Sequence, residues 1–199
     1  LSGSDVDGDD LTFSISGGSD ITATLDGSAV SFSAPADYNG SEEFSVSVSD
    51  GEYSDSQSIT VTVVAVNDAP VATAGLSGTT AEDQNAVIAL SASDIDGDNL
   101  AFSLELDAEN GSVTLDGSFA TYTPNENYYG DDSFIFSVSD GEYSSTAEVS
   151  VSVSAVNDAP ILATVSDVSF DEDGSGSTSL SANDVDGDSL EFSITGGDQ

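Results

Sequence analysis

Three motifs return along this chain at one interval of about ninety residues, and that period constrains the fold more than any other feature. Asp-Val/Ile-Asp-Gly-Asp occupies Asp5–Asp9, Asp94–Asp98 and Asp184–Asp188. Ser-Val-Ser-Asp-Gly-Glu-Tyr-Ser occupies Ser47–Ser54 and Ser137–Ser144, and Val-Asn-Asp-Ala-Pro occupies Val66–Pro70 and Val156–Pro160. Self-similarity at a fixed period marks one structural unit in tandem, so the chain is read unit by unit. The boundaries expected are a first repeat over 1–66 that lacks its opening strands, a complete repeat over 67–156, and the N-terminal part of a third over 157–199.

Inside the complete repeat the apolar period is two, the mark of strands with one buried face. Ile88, Leu90 and Ala92 alternate, as do Leu100, Phe102, Leu104 and Leu106. Phe134, Phe136 and Val138 form a third set, and Val149, Val151 and Val153 a fourth. Val113–Leu115 and Ala120–Tyr122 are shorter candidates, and a leading strand is expected near Ala72–Leu76. The third repeat is expected to reach its own third strand before the chain ends. About seven short strands in a span of roughly ninety residues predict an all-β fold, a Greek-key immunoglobulin-like sandwich. Asp26-Gly27, Asp50-Gly51, Asn110-Gly111 and Asp116-Gly117 are turn dipeptides between the strands. Tyr38 and Tyr128 precede a strand and read as plugs at a sheet corner.

Charge narrows the function. The chain holds 38 Asp plus Glu, no Lys, no Arg and no His, a formal charge of -38. No ion pair between side chains is possible, and self-repulsion opposes compaction unless salt or bound cations offset it. Nucleic acid is excluded, because phosphate binding needs Lys or Arg. An anionic membrane surface repels such a chain, and no stretch approaches the ~20 apolar residues of a spanning helix. With no Cys, disulfides cannot staple the repeats. The common nucleophile–base pairs of enzymes are absent too. A two-carboxylate glycosidase is the one catalytic class left open.

The acidic motifs favour a hard cation. Three carboxylates as close as Asp94, Asp96 and Asp98 ionise together only at a cost, unless a cation sits beside them. Oxygen ligands of this kind suit Ca2+. The loop is not an EF-hand: Asn99 stands where the invariant glycine belongs, and the twelfth positions of the other copies are Ser16 and Thr195. A single such loop reads best as a solvated turn. Its recurrence together with two further acidic motifs tips the reading to metal.

In this combination and order, Val-Asn-Asp-Ala-Pro, Asp-Gly-Glu, Ala-Glu-Asp or Asp-Glu-Asp, and Asp-x-Asp-Gly-Asp, the chain resembles the cadherin-like tandem repeats of large bacterial surface adhesins and extracellular matrix proteins, close also to VCBS-type repeats. The resemblance implies Ca2+ at the junctions between successive repeats. At the second junction it implies Glu82, then Asp140 and Glu142, then the linker residues Asn157 and Asp158, then Asp184, Asp186 and Asp188 of the next repeat. At the first junction it implies Asp50 and Glu52 with Asn67, Asp68, Asp94, Asp96 and Asp98, the counterpart of Glu82 falling before Leu1. Glu172 would serve a third junction. Where cadherin linkers open with an aspartate this chain has Ala65 and Ala155, so one or two ions per junction are expected rather than three.

The function expected is an extracellular, cell-surface structural or adhesive protein, a rod stiffened by Ca2+. Its partners would be calcium ions and neighbouring repeats of one long polypeptide. In a second version, identical chains form a fibre in which the tail of one completes the head of the next by strand addition. A third expectation is a module for cell-surface glycans, with Tyr53, Tyr129 and Tyr143 as exposed aromatics.

Overall fold

The computed structural model describes residues 1–196. It divides into two compact units, Leu1–Asp68 and a second that starts at Ala69. Every regular element among the described residues is a strand. The first unit contains β1 (Thr12–Gly17), β2 (Thr22–Asp26), β3 (Ala29–Ser33), β4 (Gly40–Ser49) and β5 (Ser54–Val63). They form a three-stranded sheet of order β1-β4-β5 and a separate β2-β3 pair.

The second unit contains β6 (Val71–Ala72), β7 (Leu76–Ala81), β8 (Ala86–Ala89), β9 (Ala92–Ser93), β10 (Ala101–Leu106), β11 (Gly111–Asp116), β12 (Phe119–Pro124), β13 (Gly130–Ser139) and β14 (Ser144–Ser154). Two sheets face each other, one of order β10-β13-β14-β7 and one of order β11-β12-β8. β7 runs parallel to β14, and the other pairings are antiparallel. The chain therefore crosses between these sheets after β7, again between β8 and β10, and after β10 and β12, as a Greek-key sandwich requires. The seven strands of these sheets match the expected count, and the β6–β9 pair adds to them.

The valine–serine alternation of β14 is read out directly. Val149, Val151 and Val153 are buried and the serines between them face solvent. Phe134 and Phe136 of the neighbouring β13, and Ala120 and Tyr122 of β12 in the facing sheet, are fully buried. Each large apolar side chain so placed contributes about 1.5–3 kcal/mol.

Two expectations change. Ile88, Leu90 and Ala92 do not share one strand: β8 pairs with β12, while β9 pairs with β6. The break falls at Leu90, whose N–H donates instead to Ser118 O at 2.7 Å. Leu106 was expected on the buried face. A bulge between Leu104 and Leu106 shifts the register against β13 and leaves Leu106 59% exposed.

Beyond β14 the described residues form only β15 (Ile161–Leu162) and β16 (Ala182–Asn183), paired with each other. The third strand expected of this repeat does not form among the described residues, which hold no strand past Asn183. Its counterpart β10 is held by β13, and the described residues past Asn183 include no strand to take that part. Residues 197–199 of the expected third repeat lie outside the described residues.

Candidate metal centre

The Asp-x-Asp-Gly-Asp loop builds itself around its first carboxylate. Asp94 Oδ1 accepts the backbone N–H of Asp96 at 2.9 Å, of Gly97 at 3.0 Å and of Asp98 at 3.3 Å. Gathering three N–H groups on one oxygen turns the backbone so tightly that Gly97 takes φ +80°, where a side chain is disfavoured. Asp5 makes the same turn with Asp7, Gly8 and Asp9 at 2.8–3.2 Å. Asp184 does so with Asp186 and Asp188, both at 3.1 Å. The second oxygen of Asp94, Oδ2, is buried with no hydrogen-bond partner. Asp94, Asp96 and Asp98 can each bring one oxygen within 4.8 Å of the others.

A second cluster joins residues far apart in sequence. Glu82, Asp158 and Asp186 also bring one oxygen each within 4.8 Å. Glu82 follows β7 at the end where β14 finishes, and its carboxylate accepts the N–H of Val156. Asp158 N–H donates to Asp186 Oδ2 at 2.6 Å. Glu82 is 3% exposed, yet no positive side chain exists to offset it. Asp158 Oδ2 is buried without a hydrogen-bond partner. Burial, with the charges of Asp186, Asp83, Glu82 and Asp184 behind it, pushes the Asp158 carboxyl above its usual range.

The remaining expected ligands are not all gathered here. Asp140 and Glu142 lie in the β13–β14 turn, where Asp140 Oδ1 accepts the N–H of Glu142 and of Tyr143, both at 2.7 Å. Eleven residues of β14 separate that turn from the linker, about 35 Å at 3.2–3.4 Å per residue. Asp140 and Glu142 therefore cannot join Glu82, Asn157 and Asp158, as the expected grouping had it. They share the other end of the unit with Asp94, Asp96 and Asp98: Ala101 pairs with Ser139, and Ala72 N–H reaches Ser145 Oγ. The same separation holds in the first unit. Asp50 and Glu52 occupy the β4–β5 turn, where Asp50 takes the N–H of Glu52 at 2.8 Å. Asn67 and Asp68 follow the far end of the ten-residue β5. Asn157 lies beside the second cluster, its side-chain amide donating to Asp158 O at 3.0 Å. Asp188 closes the turn of Asp184.

Two residues near the second cluster were not singled out from sequence. Asp83 has φ +58°, and its Oδ1 accepts the N–H of Asn127 at 3.2 Å. That bond draws the β12–β13 loop, with the exposed Glu126, to the same end as Glu82. The signal for Asp83 was present in the sequence, since Glu82-Asp83 recurs as Glu172-Asp173 ninety residues on.

Both clusters offer oxygen donors only, and each contains a buried carboxylate oxygen that no donor satisfies. A hard divalent cation that takes 6–8 oxygens fits these sets. Zinc, which prefers nitrogen and sulfur, does not, in a chain without His or Cys.

A family model described as the bacterial Ig domain matches residues 1–63 and 67–152. The chain belongs to the bacterial Ig domain family. No curated protein matches it. Among solved structures, this bacterial Ig chain is similar to human protocadherin-24 EC1-2, at 20% identity and a TM-score of 0.51 over 75% of this chain and 84% of that one. Drosophila N-cadherin EC1-4 is similar at 14% identity and a TM-score of 0.42, over 78% and 44% of the two chains. The endo-fucoidan hydrolase MfFcnA4 from glycoside hydrolase family 107 is similar at 25% identity and a TM-score of 0.37. That likeness covers 75% of this chain, which spans only 24% of the hydrolase. The sandwich fold is shared with the protocadherin-24 EC1-2 ectodomain. No helix among the described residues is long and apolar enough to cross a membrane.

Proposed function

We propose that this bacterial Ig chain is an extracellular structural element whose repeats are locked in line by Ca2+ bound at their ends. The observation that carries the reading is the Glu82–Asp158–Asp186 cluster, in which carboxylates from a repeat, its linker and the following acidic loop converge with Asp158 Oδ2 unsatisfied. Glu82, Asp158 and Asp186 would hold the ion, with Asp83, Glu126, Asn157, Asp184 and Asp188 around it. Asp94, Asp96 and Asp98, with Asp140 and Glu142, form the opposite pole of the complete repeat. Asp50 and Glu52, beside the loop of Asp5, form that pole in the first unit, and Asn67 and Asp68 its linker end. With the ion absent, the carboxylates at a pole repel and the linker is free to bend. With it bound, the linker is pinned to both repeats and a row of them becomes a rod.

The role is architectural or adhesive rather than catalytic, in keeping with a family of Ig-like domains and with acidic residues that map to the repeat ends. Tyr53, Tyr129 and Tyr143 are indeed exposed, at 72%, 58% and 46%. Tyr129 and Tyr143 lie at opposite ends of β13 and build no common stacking platform for a glycan. Calorimetric titration with Ca2+ tests the proposal. Binding that E82Q and D186N each weaken at least tenfold supports it, and equal binding by all three proteins refutes it.

A further inference from the structure

Four strands form the edges of the two facing sheets of the complete repeat, β10 and β7 in one and β11 and β8 in the other. An edge strand leaves N–H and C=O groups unpaired and templates another strand, so edges carry guards such as a charge, a proline or a bulge. β10 is guarded by its bulge between Leu104 and Leu106 and by the exposed Glu105. In β11 the Val113 N–H donates to Asp107 Oδ1 at 2.8 Å, on the side away from β12. The same strand ends on the exposed Asp116. β8 is only four residues long. β7 has no such guard. Its six residues read Leu-Ser-Gly-Thr-Thr-Ala, without charge or proline, and its register on β14 is unbroken.

The repeating pattern does not demand that bareness. Ninety residues on, Asp167 and Asp171 stand where β7 has Ser77 and Ala81. The direction of each backbone group in β7 follows from its pairing. Glu82 N–H donates to Ser154 O at 2.9 Å, and alternate residues of a strand point the same way. Leu76, Gly78 and Thr80 therefore turn their N–H groups to β14. Ser77 and Thr79 turn N–H and C=O to the open side, and both residues are exposed.

We propose that β7 pairs antiparallel with β7 of a second copy, across a two-fold axis at Gly78. Ser77 of each chain then exchanges N–H and C=O bonds with Thr79 of the other, and Gly78 faces its own copy with no side chain between them. The two four-stranded sheets become one, of order β10-β13-β14-β7-β7-β14-β13-β10. A like copy is the partner that this edge fits. With a charge of -38 on each chain, two copies repel wherever carboxylates meet, and β7 has none. A cationic partner would be drawn to the acidic faces instead. The hydroxyls of Ser77 and Thr79 both donate and accept, so the strand is complementary to itself. The contact is isologous and closes at two chains. A single strand pair is smaller than the ~1,200 Å2 of a stable interface, so the dimer is transient and strengthens as salt screens the repulsion. It uses no metal and does not rest on the Ca2+ reading.

Sedimentation equilibrium of the 1–199 polypeptide over a concentration series in high salt, read beside amide exchange by NMR, tests this. The average mass should climb toward two chains and no further. The Ser77 and Thr79 amides should gain at least tenfold protection as concentration rises, while Gly78 and Thr80, already bonded to β14, stay as they were. S77D places the counterpart's residue on the edge. T79P removes an outward N–H at an edge, where proline is tolerated. Each should hold the mass at one chain, with the fold checked by circular dichroism. D186N should dimerise like the parent. A single-chain mass at the highest concentration would overturn the proposal. So would association that S77D and T79P leave intact, or protection that spares Ser77 and Thr79. Dimers lost in D186N would move the contact to the acidic poles and overturn it as well.

Discussion

The N–H of Asp158 donates to Asp186 Oδ2 at 2.6 Å, tying the linker after one repeat to the acidic loop of the next. The bond aligns Asp158 with Glu82 and Asp186, while leaving Asp158 Oδ2 buried and unsatisfied. A carboxylate so placed is a liability without a cation and an asset with one.

Asp158→Asn should therefore change sign with metal. In chelator it removes one of four or more like charges, and the melting temperature should rise. In millimolar Ca2+ it removes a ligand, and the melting temperature should fall. Paired thermal scans read this directly, and the same sign in both conditions would refute the metal role of Asp158.

Much of this was legible in sequence because the physics is local. A period of two puts Val149, Val151 and Val153 on one face whatever the partner strand is. The Asp94 turn is likewise set by short-range hydrogen bonds, and it recurs at Asp5 and Asp184. What stayed hidden depends on tertiary pairing. The order of motifs along the chain does not say at which end of a long strand each one lies. Asp140 and Asp158 sit eighteen positions apart in sequence, and a straight strand sends them to opposite poles. The bulge that expels Leu106 comes from its pairing with β13, which alternation alone does not carry. Nothing in the composition of the β12–β13 loop marks its approach to Asp83.

The two poles predict independent effects. E82Q should weaken Ca2+ binding at the linker end and leave the Asp94 pole intact, and D140N should do the reverse. NMR shifts of the Gly97 and Asp158 amides during a Ca2+ titration distinguish the sites. Each variant should flatten one titration curve and spare the other.

Glu42 holds the first unit by a separate device. Its carboxylate accepts the N–H of Ser19, Asp20 and Ile21 at 2.9–3.1 Å and the hydroxyl of Ser19 at 2.8 Å. Hydrogen bonds from Asp20 and Ser19 lead in holding its pKa down at about 2, against 4.5 for a free glutamate. A lowered folded-state pKa means the contribution is complete above about pH 4.5 and is lost as pH falls toward 2. E42Q should therefore destabilise the first unit near neutral pH, and the gap from the parent should close below pH 4.5 in urea titrations. A gap independent of pH would contradict this.

Asp132 does the matching work in the complete repeat, taking Asn110 N–H at 3.0 Å and the Tyr122 hydroxyl at 2.9 Å. Tyr122→Phe deletes only the hydroxyl bond, because Asp132 keeps its backbone donors, and should cost about 1 kcal/mol. Phe134→Ala empties a fully buried site, and should cost about 3–5 kcal/mol. Urea unfolding that ranks the two variants in the opposite order would contradict the packing described.

The most direct test of the central claim is thermal unfolding of this chain at physiological salt, in millimolar Ca2+ and in excess chelator, with D186N alongside. At a hundredfold excess over the dissociation constant a bound ion contributes about 2.7 kcal/mol, a rise on the order of 10 °C for a domain of this size. The account predicts such a rise for the parent and most of it lost in D186N. Equal melting in Ca2+ and chelator would mean that Glu82, Asp158 and Asp186 meet without a metal, and the account would fail.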